Sequence, residues 1–242
     1  MSRKNRRKPI RKIVFRIIAS FLIIALSISG FFGVEGYLMY QNAVKDKPIA
    51  EIAETVRNQE GFTKYEDLPP IYVDAVIAAE DQRFETHCGI DVRAIIRALW
   101  TNLITLSFAE GGSTITQQVA KNQLFTQEKK VERKFAEIFA AFALEKEYSK
   151  QELFEIYVNT IYFGSGYYGI HEASQGYFKK NPQDLTDYEA ILLAGLPNAP
   201  SAYSPDHNID LAKKRMSVVL DRMVRCGKIT RDRASKILNG EQ

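Results

Sequence analysis

The first pattern along the chain is an apolar stretch near the N-terminus. Residues 17–34 run for eighteen positions without a charged side chain, which is long enough to cross the hydrocarbon core of a membrane as an α-helix. Residues 1–16 before it contain eight lysines and arginines and no acidic residue. Because positive charge stays on the cytoplasmic side, the pattern predicts a cytoplasmic tail at 1–16, a membrane anchor at 17–40 and an extracytoplasmic remainder. A cleavable signal peptide is the alternative, but no Ala-x-Ala site follows the span.

Beyond the anchor the pattern is first polar and then helical. Residues 41–64 are mixed and polar and predict a stalk or linker, whereas residues 65–242 predict one folded domain. Apolar positions recur at helical spacing from residue 92 to 103, directly after Asp91, which can cap the helix. Since no alternation of strands with helices indicates a parallel sheet, the domain is predicted to be mainly α. Three Ser/Thr-x-x-Glu/Gln sequences predict capping boxes that open further helices, at Thr114, Ser149 and Thr186.

Charge and cysteine content narrow the class of function. The whole chain carries 33 basic and 29 acidic residues, a formal net charge of +4. The residues after this tail contain 25 basic side chains (33 − 8) and 29 acidic ones, so their formal net charge is −4. No nucleic-acid partner is therefore expected. Cys88 and Cys226 lie far apart and are expected to be unpaired, and no spacing of cysteines and histidines indicates a zinc site.

Four segments of the domain stand out. The fourth, residues 157–178, is rich in tyrosine and glycine, which suits contact with sugars or lipids but is better explained by ordinary packing. The other three contain residue types that suit chemistry. In the first, an apolar run between residues 71 and 79 ends in Glu80 and Asp81. A carboxylate at the C-terminal end of a helix opposes the helix dipole. An acid kept there against this field suits a general base, and Glu80 is the predicted one. Asp81 and Phe84 are predicted to position it, and His87 to make a structural hydrogen bond.

The second segment, residues 111–122, begins with two glycines and continues as a helix. Glycines permit unusual backbone geometry, and a helix N-terminus offers unpaired N–H groups to an anion. Gln117 and Lys121 are four residues apart, so they share one helix face. The alternative is an ordinary turn followed by a capped helix.

The third segment, residues 129–150, predicts a helix that is covered on both sides. One face is apolar and aromatic, while small or apolar residues at 136, 140, 141 and 144 surround Glu137 on the other. Glu137 is therefore predicted to lie in a crevice, with Arg133 and Lys134 one turn before it. A simple surface ion pair between Arg133 and Glu137 is the alternative, and such a pair contributes only tenths of a kcal/mol.

Together these segments predict two carboxylates, the second of them among cations. A glycosidase needs a carboxylic acid that can protonate its leaving group. Cations around Glu137 favour its ionised form and make it a poor proton donor. Cations instead suit a leaving group that is already multiply negative, such as a diphosphate. With Glu80 as general base, the arrangement predicts sugar transfer from a lipid-linked diphosphate donor to a hydroxyl group.

These motifs together closely resemble the peptidoglycan glycosyltransferases of family 51. The family pattern Glu-Asp-x-x-Phe-x-x-His-x-Gly occurs at residues 80–89, Gly-Gly-Ser-Thr-Ile-Thr-Gln-Gln at 111–118, and Arg-Lys-x-x-Glu at 133–137. Agreement continues through "YVNTIYFG" and "EAILLAGLPNAPSAYSP", so the resemblance covers roughly residues 65–206. It implies a lysozyme-like α domain beside a smaller, membrane-apposed jaw lobe, to which residues 103–112 would belong.

The resemblance also implies an activity, the polymerisation of lipid II into peptidoglycan glycan strands. Glu80 would deprotonate the 4-hydroxyl of the acceptor sugar, which attacks the anomeric carbon of the donor with inversion. Glu137 would orient the donor diphosphate, which is the leaving group. Where relatives often carry an arginine this chain has Lys129, and lysine lacks the bidentate geometry of arginine, so its role would be weaker or taken by Lys130. The predicted substrate-binding residues are Ser113, Gln117, Lys121, Lys129, Arg133 and Lys134.

Partners and location follow from the same resemblance. The partners would be lipid II, the growing glycan strand, the membrane bilayer and other cell-wall synthesis proteins. The chain would be a single-pass protein of the bacterial plasma membrane, with its N-terminus in the cytoplasm. No organic cofactor is expected, and a divalent cation, Mg²⁺ or Mn²⁺, held at Glu137 stays an open alternative. A transpeptidase activity is not expected, because the sequence contains no Ser-x-x-Lys.

Two other functions compete with this prediction. A lysozyme-like hydrolase or lytic transglycosylase would cut glycan strands, but it needs a protonated acid in an apolar pocket and no crowd of cations. A non-catalytic scaffold or glycan-binding subunit would be indifferent to the loss of either carboxylate. The sequence favours the polymerase because both candidate acids and the cations occur together.

Overall fold

The structure, a computed structural model, describes residues 7–105, 111–126, 128 and 130–241. Helices dominate it, and the strands form one short antiparallel hairpin. The mainly α class predicted from the sequence is confirmed. In chain order the elements are α1 (Arg7–Asp46), α2 (Ile52–Arg57), α3 (Pro70–Glu80), α4 (Val92–Thr105), α5 (Ile115–Leu124), α6 (Val131–Glu147), α7 (Lys150–Thr160), β1 (Tyr162–Gly164), β2 (Tyr167–Tyr168), α8 (Gly169–Phe178), α9 (Asp187–Gly195), α10 (Pro200–Tyr203), α11 (Pro205–Arg225) and α12 (Arg231–Leu238).

The predicted anchor is the first part of α1. Within the described residues, α1 is the one helix that is long and apolar enough to cross a membrane, with a mean hydropathy of 2.4 over its most apolar window. The helix continues past the predicted end of the anchor to Asp46. Its last turns pack on α6, where the rings of Tyr37 and Tyr40 lie 5.3 and 6.4 Å from that of Phe139. The anchor and the domain are therefore joined by a packed helix.

Residues 41–64, predicted as a stalk, contribute to the core of the domain. Ile52 and Val56 of α2 are completely buried. The side-chain amide of Asn159 on α7 accepts a hydrogen bond from the N–H of Thr63 and donates one to its carbonyl oxygen, both at 2.8 Å. The folded domain thus starts before residue 65. Sequence periodicity does not reveal this because α2 is only six residues long, less than two turns.

The core is built around two helices that are apolar on nearly every side. In α3 seven residues between Tyr72 and Ala79 are buried, and in α9 every residue from Ala190 to Gly195 is buried. Helices of this kind occupy the centre of a domain. Both pack against each other and against α11, while α5 lies between α6 and α7. The C-terminal end of α3, with Glu80, therefore emerges from the middle of the core.

Helix α4 projects away from this core and forms the smaller lobe. In α4, all of whose residues are described, Ala98 alone is buried. Large apolar side chains on it are 55–68% exposed. Residues 106–110 of the predicted membrane-facing lobe lie outside the described residues, but residues 103–105 belong to this exposed apolar helix. The exposed side chains are Val92, Ile96, Leu99, Trp100, Leu103 and Ile104.

Candidate active site

Glu80 is the last residue of α3, and α5 and α11 supply its neighbours. Its Oε2 atom accepts a hydrogen bond of 2.8 Å from the side-chain amide of Gln118. Its Oε1 atom lies 3.8 Å from Nη2 of Arg215. A second arginine, Arg222, donates to the carbonyl oxygen of Ala79 at the end of the same helix. The unfavourable position of this acid against the helix dipole is thus offset by two arginines from α11.

Sequence reasoning missed both Gln118 and Arg215. Arg215 is only 8% exposed, although it carries a charge. Burial lowers the pKa of its guanidinium, and the carboxylate of Glu80 acts in the opposite direction. A signal existed in the sequence, because Arg215 interrupts an apolar helix face formed by Ala212, Met216 and Val219. A buried arginine is rare unless it has an acidic partner.

Asp81 anchors the loop after α3 to the start of α5. Its Oδ2 atom accepts hydrogen bonds from Nε2 of His87 at 2.8 Å and from the N–H of Ile115 at 3.1 Å. The other ring nitrogen of His87, Nδ1, accepts from the N–H of Gly89. With Nδ1 as the acceptor, Nε2 is the nitrogen that donates to Asp81. Asp81 and His87 therefore fix the backbone on which Glu80 and the Gly-Gly-Ser segment lie.

Helix α4 is attached through Asp91. Its carboxylate accepts from the N–H of Ala94 at 2.8 Å, as an N-cap should, and from Nε of Arg83 at 2.8 Å. The Arg83 guanidinium lowers the pKa of Asp91 to about 2, with a further contribution from the N–H of Ala94. The predicted capping role of Asp91 is confirmed. The capping boxes predicted at Thr114, Ser149 and Thr186 are also confirmed.

Gln117 takes part in the first of these capping boxes. Its side-chain oxygen accepts from the N–H of Thr114 at 3.1 Å, and the residue is only 3% exposed. Gln118, on the open face of α5, instead reaches Glu80. The binding role proposed for Gln117 stays a prediction. The structure gives it a part in shaping the start of α5.

Glu137 is a buried carboxylate with a cation at each oxygen, and one of these cations, Lys134, is itself half exposed. Its Oε1 atom is 2.7 Å from Nη1 of Arg133 and its Oε2 atom 2.5 Å from Nζ of Lys134, and the carboxylate itself is completely buried. Lys134 also donates to Oγ of Ser113 at 2.9 Å, which joins this cluster to the glycine-rich segment. The predicted crevice is confirmed, because α1 covers one side of α6 and α5 the other. The alternative of a simple surface ion pair is excluded.

Lys121 connects the two carboxylates electrostatically. Burial lowers the pKa of its ammonium group, the carboxylates of Glu137 and Glu80 act to raise it, and Lys134 and Arg133 act to lower it. Four cations, Lys121, Arg133, Lys134 and Arg215, thus stand beside two carboxylates, Glu80 and Glu137, which leaves a surplus of two positive charges (4 − 2). Of the predicted cations, Lys129 lies outside the described residues.

Two buried tyrosines form part of the wall behind Glu80. The hydroxyl groups of Tyr72 and Tyr157 have no hydrogen-bond partner within the described part of the chain. Burial raises the pKa of both, and the nearby carboxylate of Glu80 raises them further. The wall is therefore neutral. Charge at this end of the site comes from Glu80 and from the arginines Arg215 and Arg222.

Comparison with known proteins gives the family. The family described as "Transglycosylase" matches residues 45–224, so the chain belongs to the transglycosylase family. Penicillin-binding protein 1A of Neisseria flavescens is 48% identical over 178 residues, which are 72% of this chain and 22% of that protein. The protein of the same name from Neisseria gonorrhoeae is 47% identical over 74% of this chain and 23% of its own length.

The matched region is a small part of these relatives. The chain spans 22–23% of the length of both Neisseria proteins. A crystal structure of penicillin-binding protein 1A from Haemophilus influenzae aligns with 75% of this chain and 17% of that chain, at 23% identity and a TM-score of 0.43. The family resemblance inferred from the three motifs is confirmed by the family match over residues 45–224.

Proposed function

We propose that the protein polymerises lipid II into the glycan strands of peptidoglycan. One observation supports this more than any other: two cations, Arg133 and Lys134, contact Glu137 and a third, Lys121, lies near it, whereas Glu80 is held by Gln118 and Arg215. A surplus of two charges suits a departing diphosphate, which needs neutralisation and no proton. The description of the family, transglycosylase, agrees with this activity.

The proposed reaction begins at Glu80. Its carboxylate removes the proton from the 4-hydroxyl of the acceptor sugar as that oxygen forms a bond to the anomeric carbon of the donor. The bond from that carbon to the lipid diphosphate breaks, and the electron pair leaves with the diphosphate. Attack from the opposite face inverts the anomeric centre. The hydrogen bond from Gln118 and the guanidinium of Arg215 hold Glu80 in the orientation for this transfer.

The diphosphate is proposed to bind at the other carboxylate. Lys121, Arg133 and Lys134 neutralise it, and Ser113 keeps Lys134 at the edge of the cluster. Glu137 holds the two cations next to it in position instead of contacting the substrate. This assigns Glu137 a positioning role for the cations that bind the leaving group.

A divalent cation fits this cluster poorly. Both oxygens of Glu137 already have a cationic partner. Mg²⁺ and Mn²⁺ prefer several oxygen ligands, and among the residues that the structure describes no group of three or more His, Cys, Asp or Glu side chains could hold a metal ion. We therefore propose that lysine and arginine side chains neutralise the diphosphate.

The location of the protein is part of the proposal. The apolar stretch of α1 anchors it in the bacterial plasma membrane, with the basic tail in the cytoplasm and the domain outside. The exposed apolar side chains of α4 contact the same membrane. Both contacts bring the site to a lipid-linked substrate. A hydrolase would need a protonated acid in a pocket without cations. A hydrolase is therefore disfavoured, because both Glu80 and Glu137 have cationic neighbours.

The proposal is tested by replacing Glu80. Glu80→Gln keeps the shape of the side chain but removes the base, so we expect polymerisation of lipid II to fall by about 10²–10⁴-fold. The fold should stay intact, with a lower melting temperature because the buried Arg215 loses its acidic partner. Glu147→Gln, at an exposed position of α6, is the matched control and retains full activity. Full activity of Glu80→Gln would refute the assignment of the base. Release of fragments from finished peptidoglycan by the unmodified protein would support the hydrolase instead.

A further inference from the structure

An open cleft of about 570 Å³ lies beside the proposed active site. Its walls are the loop after α2, the C-terminal ends of α5 and α7, and the start of α8. The residues that matter for its chemistry are Glu60, Asn122, Tyr168, His171 and Glu172. None of the residues assigned to the base or to the diphosphate cluster lines it.

The cleft differs from the diphosphate cluster in the sign of its charge. Its lining contains the carboxylates of Glu60 and Glu172 and no lysine or arginine, and one cation, Lys47, donates to the side-chain oxygen of the lining residue Gln123 at 2.8 Å, so the balance of these three groups is −1 (1 − 2). Glu172 accepts a hydrogen bond from the N–H of Tyr168 through Oε2 at 2.7 Å, which leaves Oε1 available. Glu60 is exposed and forms no ion pair with any residue that the structure describes. A phosphate group would be repelled here, whereas a cation would be attracted.

An aromatic face completes this environment. Tyr168 is 61% exposed, and its ring is held against that of Tyr162 at a centroid distance of 4.8 Å. The face of a tyrosine ring attracts an ammonium group through its quadrupole. Two carboxylates and an aromatic face together form a site that suits a primary amine.

The walls of the cleft are fixed by two close backbone contacts. Gly61 has a φ of +75°, and a Cβ atom there would come within 2.6 Å of the His171 ring. Gly169 has a φ of +81°, and a Cβ atom there would come within 2.7 Å of the carbonyl oxygen of Asn159. Glycine allows both the backbone conformation and the contact. The cleft is therefore a defined feature of the fold, since its walls are locked to one another.

The cleft is also within reach of the reacting groups. Asn122 follows Gln118 by four residues and shares its face of α5, so the two lie about 6 Å apart along the helix. Gln118 contacts the proposed base, and Asn122 lines the cleft. Two residues of extended peptide span about 7 Å. The Gln118 side chain and its hydrogen bond to Glu80 add to this distance, so a peptide of several residues attached to a sugar at Glu80 is needed to reach the cleft.

We propose that this cleft binds the peptide stem of the substrate through an amine on that peptide. The inference rests on the proposed function, because it assumes a lipid-linked sugar that carries a peptide. Glu60 and Glu172 contact the ammonium group, and Tyr168 covers it. The cleft would thereby select substrates by their peptide, a property separate from the transfer reaction itself.

The test compares two lipid II preparations that differ only in whether the amine of the peptide stem is free or acetylated. The unmodified protein is expected to prefer the free amine by about fivefold in kcat/KM, through KM, as for one partly exposed ion pair. The double variant Glu60→Gln/Glu172→Gln is expected to lose this preference and to process the acetylated substrate as the unmodified protein does. Glu147→Gln, at an exposed carboxylate outside the cleft, keeps the preference.

Other results overturn the inference. Equal use of both substrates by the unmodified protein refutes it while leaving the proposed function intact. A preference that survives in the double variant places the recognition elsewhere. Shorter products from the double variant with both substrates would assign the cleft to the glycan strand instead. If the unmodified protein polymerises neither substrate, the proposed function fails and the inference fails with it.

Discussion

At the scale of single residues, Glu137 shows how a buried charge is retained. Its carboxylate is fully buried, and each oxygen contacts a cation from the preceding turn of α6. Removal of one partner from a buried ion pair is costly because the remaining charges stay buried without compensation. Arg133 is already incompletely paired, because its Nε atom is buried without a hydrogen-bond partner in the described part of the chain. The cluster therefore depends on Glu137 for its shape.

We expect Glu137→Gln to lower both activity and stability. Polymerisation of lipid II should fall at least about 10²-fold as the cations lose their positions, and the free energy of unfolding by about 3 kcal/mol. The measurements are a polymerisation assay and denaturant unfolding, with Glu147→Gln of the same helix as control. Near-normal turnover together with reduced stability would make Glu137 a purely structural ion-pair partner.

Asp91 is expected to contribute a pH-dependent part of the stability. Its folded-state pKa of about 2 lies below that of an unfolded aspartate, mainly because of Arg83. The contribution is fully present above pH 4, and it is lost as the pH falls from about 4 towards 2. Asparagine is also a good N-cap, so Asp91→Asn keeps the cap of α4 and removes the titrating group. The melting temperature of the unmodified protein should therefore fall more steeply between pH 4 and pH 2 than that of Asp91→Asn. If the two plots of melting temperature against pH are parallel, Asp91 does not contribute this pH-dependent stability.

At the scale of elements, the sequence predicts helices better than it predicts what they pack against. Capping boxes and the burial of Glu137 follow from local spacing, and the structure contains them. The contacts of Glu80 with Arg215 and of α1 with α6 join residues more than ninety positions apart, and no local pattern encodes such pairs. The short helix α2 is missed for a different reason, since six residues give too few apolar positions for a period to be visible.

The contact between α1 and α6 depends on a glycine. A Cβ atom at Gly36 would lie 2.5 Å from Cβ of Phe135, 2.8 Å from the carbonyl oxygen of Glu132 and 2.9 Å from the N–H nitrogen of Ala136. Two of these neighbours belong to the backbone of α6, so the helices would have to separate. At Gly33, one turn earlier in the same helix, a Cβ atom meets nothing within 4 Å.

We expect Gly36→Ala and Gly33→Ala to have opposite effects. Alanine favours a helix over glycine by about 1 kcal/mol, so Gly33→Ala should leave the protein unchanged or slightly more stable. Gly36→Ala should lower the melting temperature, measured in detergent, because the steric clash outweighs that gain. If the two variants have the same stability, α1 does not pack on α6 as the structure has it.

At the scale of the whole molecule, α1 combines two tasks along one continuous helix. Its first part is exposed and apolar, and its last turns cover the apolar face of α6 at Phe135 and Phe139. Under the proposed function, the exposed apolar face of α4 is a second surface for the membrane. In the proposed function the packed turns of α1 would hold the domain at the bilayer by a rigid connection, which suits the proposed substrate, whose diphosphate would stay at the membrane surface while its sugars react at Glu80.

Two truncations separate these tasks. Removal of residues 1–31 takes away most of the apolar span but leaves the turns around Gly36, Tyr37 and Tyr40 that pack on α6. We expect this variant to fold with nearly unchanged stability and to bind lipid vesicles more weakly, yet still measurably, because α4 remains.

Removal of residues 1–47 also exposes Phe135 and Phe139 to water. Burial of apolar surface contributes roughly 25 cal/mol per Å², so this second variant should unfold at a markedly lower temperature or aggregate. Equal stability of both variants would show that the last turns of α1 serve only as a tether, and a complete loss of vesicle binding in the first would remove α4 from the membrane contact.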